Sequence, residues 1–277
     1  MKSPMELPKL RIPPDIRADE MPDLLRYWYL GTRARRHMML RRFAEVDAGV
    51  LAADAAPREG GPLRVLDIGS AWGFNVMALD LLGCRATGVD LVIDQFPVGA
   101  RIADENRIAF AVLGADAAHL PFRDATFDAV TMVETFEHIF IEDRREALSE
   151  CSRVLRRGGR LVLSTPNYRS LVEGFKRFTG RHRWMRTKLP TMCYPEDGTP
   201  REDYHPYRYH HPLPDGEIGS MLEAVGFRVL SIDHFLFMLK NTPEWLYPFA
   251  AGAERALESI PGVRRLAATA CFTAEKR

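Results

Sequence analysis

The run Val65-Leu66-Asp67-Ile68-Gly69-Ser70-Ala71-Trp72-Gly73-Phe74-Asn75 constrains this chain more than any other segment. Val65, Leu66 and Ile68 form a short apolar stretch of the kind that is buried on both faces of a parallel sheet. Gly69 and Gly73 let the backbone turn tightly and approach a ligand, and a helix over 75–82 aims its first N–H groups at that ligand. A strand, a glycine turn and a helix in this order predict an α/β fold with its site at the strand's carboxyl end. Asp67 falls at that end, where a carboxylate suits an ammonium group and repels a pyrophosphate.

A dinucleotide loop of the form G-x-G-x-x-G would need glycine at 69, 71 and 74, where the chain has Gly69, Ala71 and Phe74. The spacing Asp67, Gly69, Gly73 is kept instead, which favours S-adenosylmethionine (SAM) over a nicotinamide dinucleotide. A second strand over 85–89 closes on Asp90, followed by Leu91. Asp90 lies about 20 residues past the glycine turn, where an acid can accept both ribose hydroxyls. A helix over 95–107 and a third strand over 108–113 lead to Asp116 and Ala117. That carboxylate can accept the exocyclic amine of adenine, with the Ala117 amide near a ring nitrogen. A fourth strand over 129–133, a helix over 142–155 closed by Arg156, Arg157 and Gly158, and a fifth strand over 160–164 complete the pattern.

The ordered set Val65 to Gly73, Gly88-Val89-Asp90, Asp116 to Asp128, Glu134 to His138, Glu150 to Leu161 and Leu213 to Phe227 resembles the class I SAM-dependent methyltransferases, in particular the group containing the ubiquinone and menaquinone methyltransferases. The resemblance covers most of residues 60–235. It implies a Rossmann-like, seven-stranded, mostly parallel sheet with its last strand antiparallel. The SAM methionine would lie near Gly69 and Gly73, the ribose at Asp90 and the adenine at Asp116, with Asp67, Ser70, Ala71, Trp72, Leu91, Ala117 and Glu134 as further cofactor-binding residues. Ala71 stands where many members have glycine, narrowing the turn while leaving its backbone donors available. Arg157 replaces a proline common before the glycine pair.

At 277 residues with 46% hydrophobic and 27% charged residues, the chain can bury one α/β core with additions. A net charge of +1 excludes a globally basic nucleic-acid binder. Cys84, Cys151, Cys193 and Cys271 show neither C-x-x-C spacing nor metal partners, so structural zinc and a disulfide framework are not expected. A reducing cytoplasm is the expected location. Residues 1–23 read as an extended arm with no signal-peptide or transmembrane character, ahead of one domain over 24–277. Within it, 24–58 is read as a helical cap, 60–165 as the SAM-binding core, 166–212 as a substrate lid and 213–277 as the rest of the sheet.

The cap reads as one helix from Leu24 to Val46, carrying Arg26, Arg33, Arg35, Arg36, Arg41 and Arg42 among Tyr27, Trp28 and Tyr29. The lid is rich in arginine and lysine in its first half and ends in Tyr204-His205-Pro206-Tyr207-Arg208-Tyr209-His210-His211. Its length and aromatic density suggest a functional excursion. Tyr27, Arg33, Tyr207, Tyr209, His210 and His211 are the expected substrate residues. If cap and lid share one mouth, their positive field favours an anionic or lipid-linked small molecule, and peripheral contact with a membrane is compatible with the aromatics. No specific nucleic acid is expected, because the chain lacks an Asn/Asp-Pro-Pro-Tyr/Phe run after the fourth strand.

Methyl transfer to a hydroxyl requires a base, and Glu134, Glu137 and His138 follow the fourth strand. The run Glu134-Thr135-Phe136-Glu137-His138 matches, residue by residue, one that in ubiquinone-type O-methyltransferases is associated with a divalent metal. Relatives without metal carry the same Glu-His pair, so SAM is the expected cofactor and no metal is assigned. The expected reaction is methyl transfer to a small-molecule or lipid-linked acceptor, most naturally on oxygen. The alternatives are a nitrogen or carbon acceptor, a SAM-binding scaffold without catalysis, and a nicotinamide-dependent oxidoreductase.

Overall fold

The apolar runs pair into a seven-stranded sheet in a computed structural model that describes residues 9–52, 61–180 and 210–277. The strands are β1 (Arg64–Ile68), β2 (Arg85–Asp90), β3 (Val112–Gly114), β4 (Phe127–Val133), β5 (Leu155–Pro166), β6 (Phe227–Phe235) and β7 (Thr269–Lys276). Their spatial order is β3-β2-β1-β4-β5-β7-β6. The pairs from β3 through β5 are parallel, and β7 runs antiparallel between β5 and β6. This is the Rossmann-like methyltransferase sheet expected from the sequence, with the last strand antiparallel.

Side chains alternate across the sheet and so divide the core in two. Leu66, Ile68, Val130, Met132, Leu161 and Leu163 face helices α4 (Arg144–Val154) and α6 (Asp215–Ala224) through Leu148, Cys151, Ile218 and Leu222. Val65, Ala129, Val162 and Cys271 face α1 (Arg33–Leu51) and α2 (Phe74–Leu81) through Val46, Val50, Val76 and Leu79. The other helices are α3 (Phe96–Asn106), α5 (Leu171–Gly180), α7 (Tyr247–Glu258) and the short α8 (Pro261–Arg264). No helix among the described residues is long and apolar enough to cross a membrane.

Two local expectations are corrected. The single cap helix is two pieces: a π-helical turn over Leu24–Tyr29, then α1, capped by Thr32 Oγ1 accepting from the Arg35 amide at 3.4 Å. A Cβ on Gly31 would lie 2.0 Å from the Tyr27 carbonyl oxygen, so glycine permits the break. The third strand is shorter than expected, starting at Val112, because Arg107 and Ile108 are used to finish α3. Arg107 turns left-handed at φ 57°, the Ile108 amide donates back to the Ala103 carbonyl, and the Phe110 ring packs on Gly73 and Gly99. The lid over 166–212 begins with α5; residues 181–209, including Tyr207 and Tyr209, lie outside the described residues. Of the arm, residues 9–23 are tied down: Leu10 and Ile16 are buried, and the Leu10 amide donates to Tyr29 Oη at 2.8 Å.

One group on the α1 side is costly. Asp47 is completely buried, and neither carboxylate oxygen has a hydrogen-bond partner. Burial, and secondarily the charge of Asp67, pushes its carboxyl well above the usual carboxylate range. Because the folded value exceeds the unfolded one, this group's contribution falls as pH rises from the unfolded value toward the folded one. Asp47→Asn is therefore expected to raise the thermal unfolding midpoint by a few degrees at pH 8, on the scale of about 1–3 kcal/mol, and by less at pH 5. Equal gains at both pH values, read by calorimetry, would overturn this account.

Candidate functional site

β1 ends where five parallel strands present their carboxyl ends, and the turn after it is built from left-handed backbone. Gly69, Ala71 and Gly73 have φ values of 77°, 48° and 85°. The Gly69 and Ser70 amides donate to the Val89 carbonyl at 2.8 and 3.0 Å, and the Ala71 amide donates to Asp90 Oδ2 at 2.8 Å. These amides therefore stitch the turn to the end of β2. This corrects the expectation that the Ala71 donor stays available: the left-handed turn points it at Asp90. A Cβ on Gly69 would meet Thr135 Oγ1 at 2.2 Å, so glycine here lets the turn and the loop after β4 close together.

The turn, the ends of β2 to β4 and the cap enclose a cavity of about 1080 Å³. Asp67, Gly69, Ser70, Ala71, Trp72, Asp90, Leu91, Asp116, Ala117, Glu134, Glu137, His138 and His210 all line it. Ten of the expected residues other than Gly73 thus share one chamber with the expected base candidates and one lid histidine. Gly73 does not line it: its missing Cβ makes room for the Phe110 ring, which would come within 2.3 Å, so its role is packing. Trp72 touches the cavity from a fully buried aromatic cluster with Tyr29 and Phe74.

Asp67 is buried, with Oδ1 accepting from Thr131 Oγ1 at 2.6 Å and Asn75 Nδ2 at 2.8 Å. Burial pushes its pKa up to about 6 against the pull of those two bonds. Asp90 accepts from the Ala71 and Val92 amides, and burial raises its pKa as well. Asp116 is exposed, accepts from the Ala118 amide at 2.9 Å and lines the cavity together with Leu91, which is 58% exposed. The chamber thus offers what SAM needs: a buried carboxylate for an ammonium, a second for a ribose, and an exposed acid beside apolar walls for a purine.

The loop after β4 is a second cluster. Glu134 has φ 51° and is held by Arg42 of α1 at 3.1 Å, while burial raises its pKa. Glu137 is almost wholly buried, accepts from Thr165 Oγ1 at 3.1 Å, and is likewise raised by burial. His138 lies with Nε2 3.9 Å from Glu137 Oε1, and its ring centroid is 5.5 Å from that of His210. Glu137, His138 and His210 each offer a ligand atom within 4.8 Å of the others. The metal run noted in the sequence is therefore not assembled as such: Glu134 turns to Arg42, and His210 takes the third place.

Other expected substrate residues stand elsewhere. The Tyr27 ring is half exposed under the Arg35 guanidinium at 3.9 Å, and Arg33 stacks on Tyr247 at 4.3 Å; neither lines the cavity. His211 is held by its backbone, its amide donating to the Glu137 carbonyl at 2.9 Å. Among the described cap and lid arginines and lysines, Arg42 and Lys176 reach the cavity, each bonded to an acid, Glu134 and Glu173.

Sequence reasoning missed Arg144. It is completely buried, donating from Nε to the Ile139 carbonyl (2.9 Å) and from Nη2 to the Glu137 (3.0 Å) and His211 (2.8 Å) carbonyls, with Phe136 beneath it. It binds the His138 loop to the His210-His211 segment. In the sequence, Asp143-Arg144-Arg145-Glu146 looks like any solvated helix start.

Residues 66–163 match the family model described as "Methyltransferase domain". A demethylmenaquinone methyltransferase of Thermotoga maritima is 32% identical over 180 residues, spanning 62% of this chain and 72% of that one. A ubiquinone/menaquinone biosynthesis C-methyltransferase of Rhizobium leguminosarum is 34% identical over 112 residues, 39% of this chain and 43% of that one. Among solved structures, the magnesium protoporphyrin IX methyltransferase of Synechocystis with bound S-adenosylhomocysteine (SAH) shares the fold at a TM-score of 0.59 and 16% identity, covering 92% of this chain and 94% of that one. With the glycine turn, the three strand-end acids and the antiparallel last strand, these matches establish that the chain belongs to the class I SAM-dependent methyltransferases.

Proposed function

We propose that this methyltransferase acts on a phenolic or quinol ring that carries an apolar tail, and that the methyl group goes to a ring carbon. The observation that carries the reading is the make-up of this cavity. Its outer wall is apolar, from Leu24, Trp28, Met38 and Phe43 to Leu171, Phe175 and Leu239, while its floor beside Gly69 holds Glu134, Glu137, His138 and His210. Its volume stands at the upper end of small-molecule sites, which leaves room for an acceptor beside a nucleoside. The quinone-biosynthesis names of the relatives favour carbon as the acceptor atom and a lipid-linked acceptor. Transfer to the ring oxygen, the expectation from Glu134-Thr135-Phe136-Glu137-His138, is the second reading, and NMR of the product distinguishes the two.

SAM, when bound, supplies an electrophilic methyl group on a sulfonium. In this reading Asp67 holds its ammonium, Asp90 its ribose, and Asp116 with Leu91 and Ala117 its adenine. His138 takes the proton from the acceptor hydroxyl, which loads electron density onto the ring oxygen and onto the carbons ortho and para to it. Glu137, buried and anchored by Thr165, favours the resulting imidazolium. After attack by carbon, that carbon's own proton must leave to restore the aromatic ring, and His210, facing His138, is placed to receive it. Arg144 acts through the carbonyls of both segments as a positioning residue. The apolar wall excludes water, so the activated methyl group meets the acceptor and not hydroxide. Two of the described cations at the cavity, Arg42 and Lys176, are paired with acids, so support for an anionic acceptor rests on Lys240.

Four outcomes are expected. Asp90→Ala should weaken SAH binding about tenfold or more by calorimetry; unchanged affinity would remove Asp90 from the ribose site. Because an ammonium pairs with ionised Asp67, SAH affinity should be flat above pH 7 and about tenfold weaker at pH 5, and Asp67→Asn should abolish that slope. His138→Ala should lower kcat on a quinol acceptor by about a hundredfold while SAH affinity is kept, and survival of full turnover would reduce His138 to scaffold. Arg144→Met should lower kcat about tenfold to a hundredfold through misplacement of both histidines, again with SAH affinity kept.

A further inference from the structure

Beyond the cavity wall the chain displays apolar side chains that its own core leaves uncovered. Leu239 (60% exposed) and Lys240 line the cavity and begin a turn that runs outward to Trp245 (74% exposed) and to Phe249 (72% exposed) one helical turn later on α7. The turn is continuous with the start of the cap. Arg35 hydrogen-bonds Asn241 at 3.4 Å and stacks on the exposed Tyr27 ring, while the Arg33 amide donates to Glu244 at 2.9 Å and its guanidinium covers Tyr247. Cations outnumber acids here: Arg26, Arg33, Arg35, Arg36 and Lys240 against Asp23 and Glu244. Arg33, Arg36 and Lys240 join no ion pair among the described residues. Single exposed apolar residues are ordinary; a strip of them that opens into a cavity and is edged by unpaired cations is not.

We propose that this strip docks on an anionic lipid surface, with Trp245 and Phe249 entering the headgroup region, the cations facing lipid phosphates, and Leu239 leading the acceptor's tail from the bilayer into the cavity. The inference rests on the reading of a lipid-linked acceptor and names the surface that would deliver it. Tryptophan and tyrosine favour the membrane interface because each joins an apolar ring to a polar edge, and each nearby arginine or lysine adds attraction to anionic headgroups. An apolar tail pulled through water would lose the burial it had in the bilayer; a mouth seated on the surface avoids that exposure.

The test is co-sedimentation of the full chain with acceptor-free vesicles of phosphatidylcholine alone or mixed with phosphatidylglycerol. The wild type should pellet with the mixed vesicles and be released by salt. Trp245→Ser combined with Phe249→Ser should weaken binding about tenfold or more, and Arg33→Gln about fivefold on the mixed vesicles only. Both variants should turn over a tail-less, water-soluble quinol as the wild type does. A wild type that stays in the supernatant, or a double variant that pellets like it, would overturn the proposal. So would a wild-type dimer that the double variant converts to monomer by light scattering, which gives the strip to a second copy. Failure of the tail-less quinol to react in the wild type would count against the acceptor reading and leave the vesicle result standing.

Discussion

A carboxylate with almost no access to water lies at the centre of this molecule, and its two hydrogen bonds organise what surrounds it. Asp67 Oδ1 accepts from Thr131 on β4 and from Asn75 on α2, so one oxygen joins two strands and the helix that leaves the turn between them. Parallel pairing sets Asp67 opposite Thr131 directly, which is why the bond is short. Burying a charge is costly unless its lone pairs are met, and here those of Oδ1 are met by groups that also fix the turn. The left-handed turn then delivers its amides to Val89 and Asp90, which locks the end of β2 in register with the end of β1. The cofactor chamber is a consequence of that locking.

Around the opposite wall the same logic is carried by arginine. Arg144 satisfies three backbone carbonyls from inside the protein, and Arg42 crosses from the cap to Glu134. Both are buried or nearly so, where a hydrogen-bonded guanidinium is worth more than on the surface and its loss leaves acceptors unpaired. They convert a flexible loop after β4 and the end of a long insert into a defined pair of imidazoles. The left-handed Glu134 fits this picture, since strained backbone persists only where surrounding contacts overdetermine it.

Much of the frame was legible in the residues. The strand-turn-helix at Val65 to Asn75, the acids closing β2 and β3, and the Arg-Arg-Gly-Gly end of α4 are local patterns, and local patterns follow from periodicity and backbone preference. Where a residue's use depended on a distant neighbour, the reading slipped. Gly73 was expected beside a ligand and makes room for Phe110; Tyr27 and Arg33 were expected at the substrate and are engaged with Arg35 and Tyr247 away from the cavity lining. The oxygen-methylating run at Glu134 was read as a unit of sequence, whereas in space its first carboxylate belongs to Arg42 and its histidine to a partner from the insert.

The order of strands and helices, the choice of SAM over a dinucleotide, and the identity of the acids that close the strands were determined by the sequence alone, because each rests on residues within one turn or one strand of each other. The meeting of His138 with His210, the burial of Arg144 between them, the pairing that neutralises Arg42, and the emergence of Trp245 and Phe249 beside the mouth were decided only by the tertiary structure. Those contacts join positions far apart along the chain. Which of them form depends on how the cap, the insert and the last helices pack on the sheet, and side-chain spacing along a strand or helix carries no record of that packing.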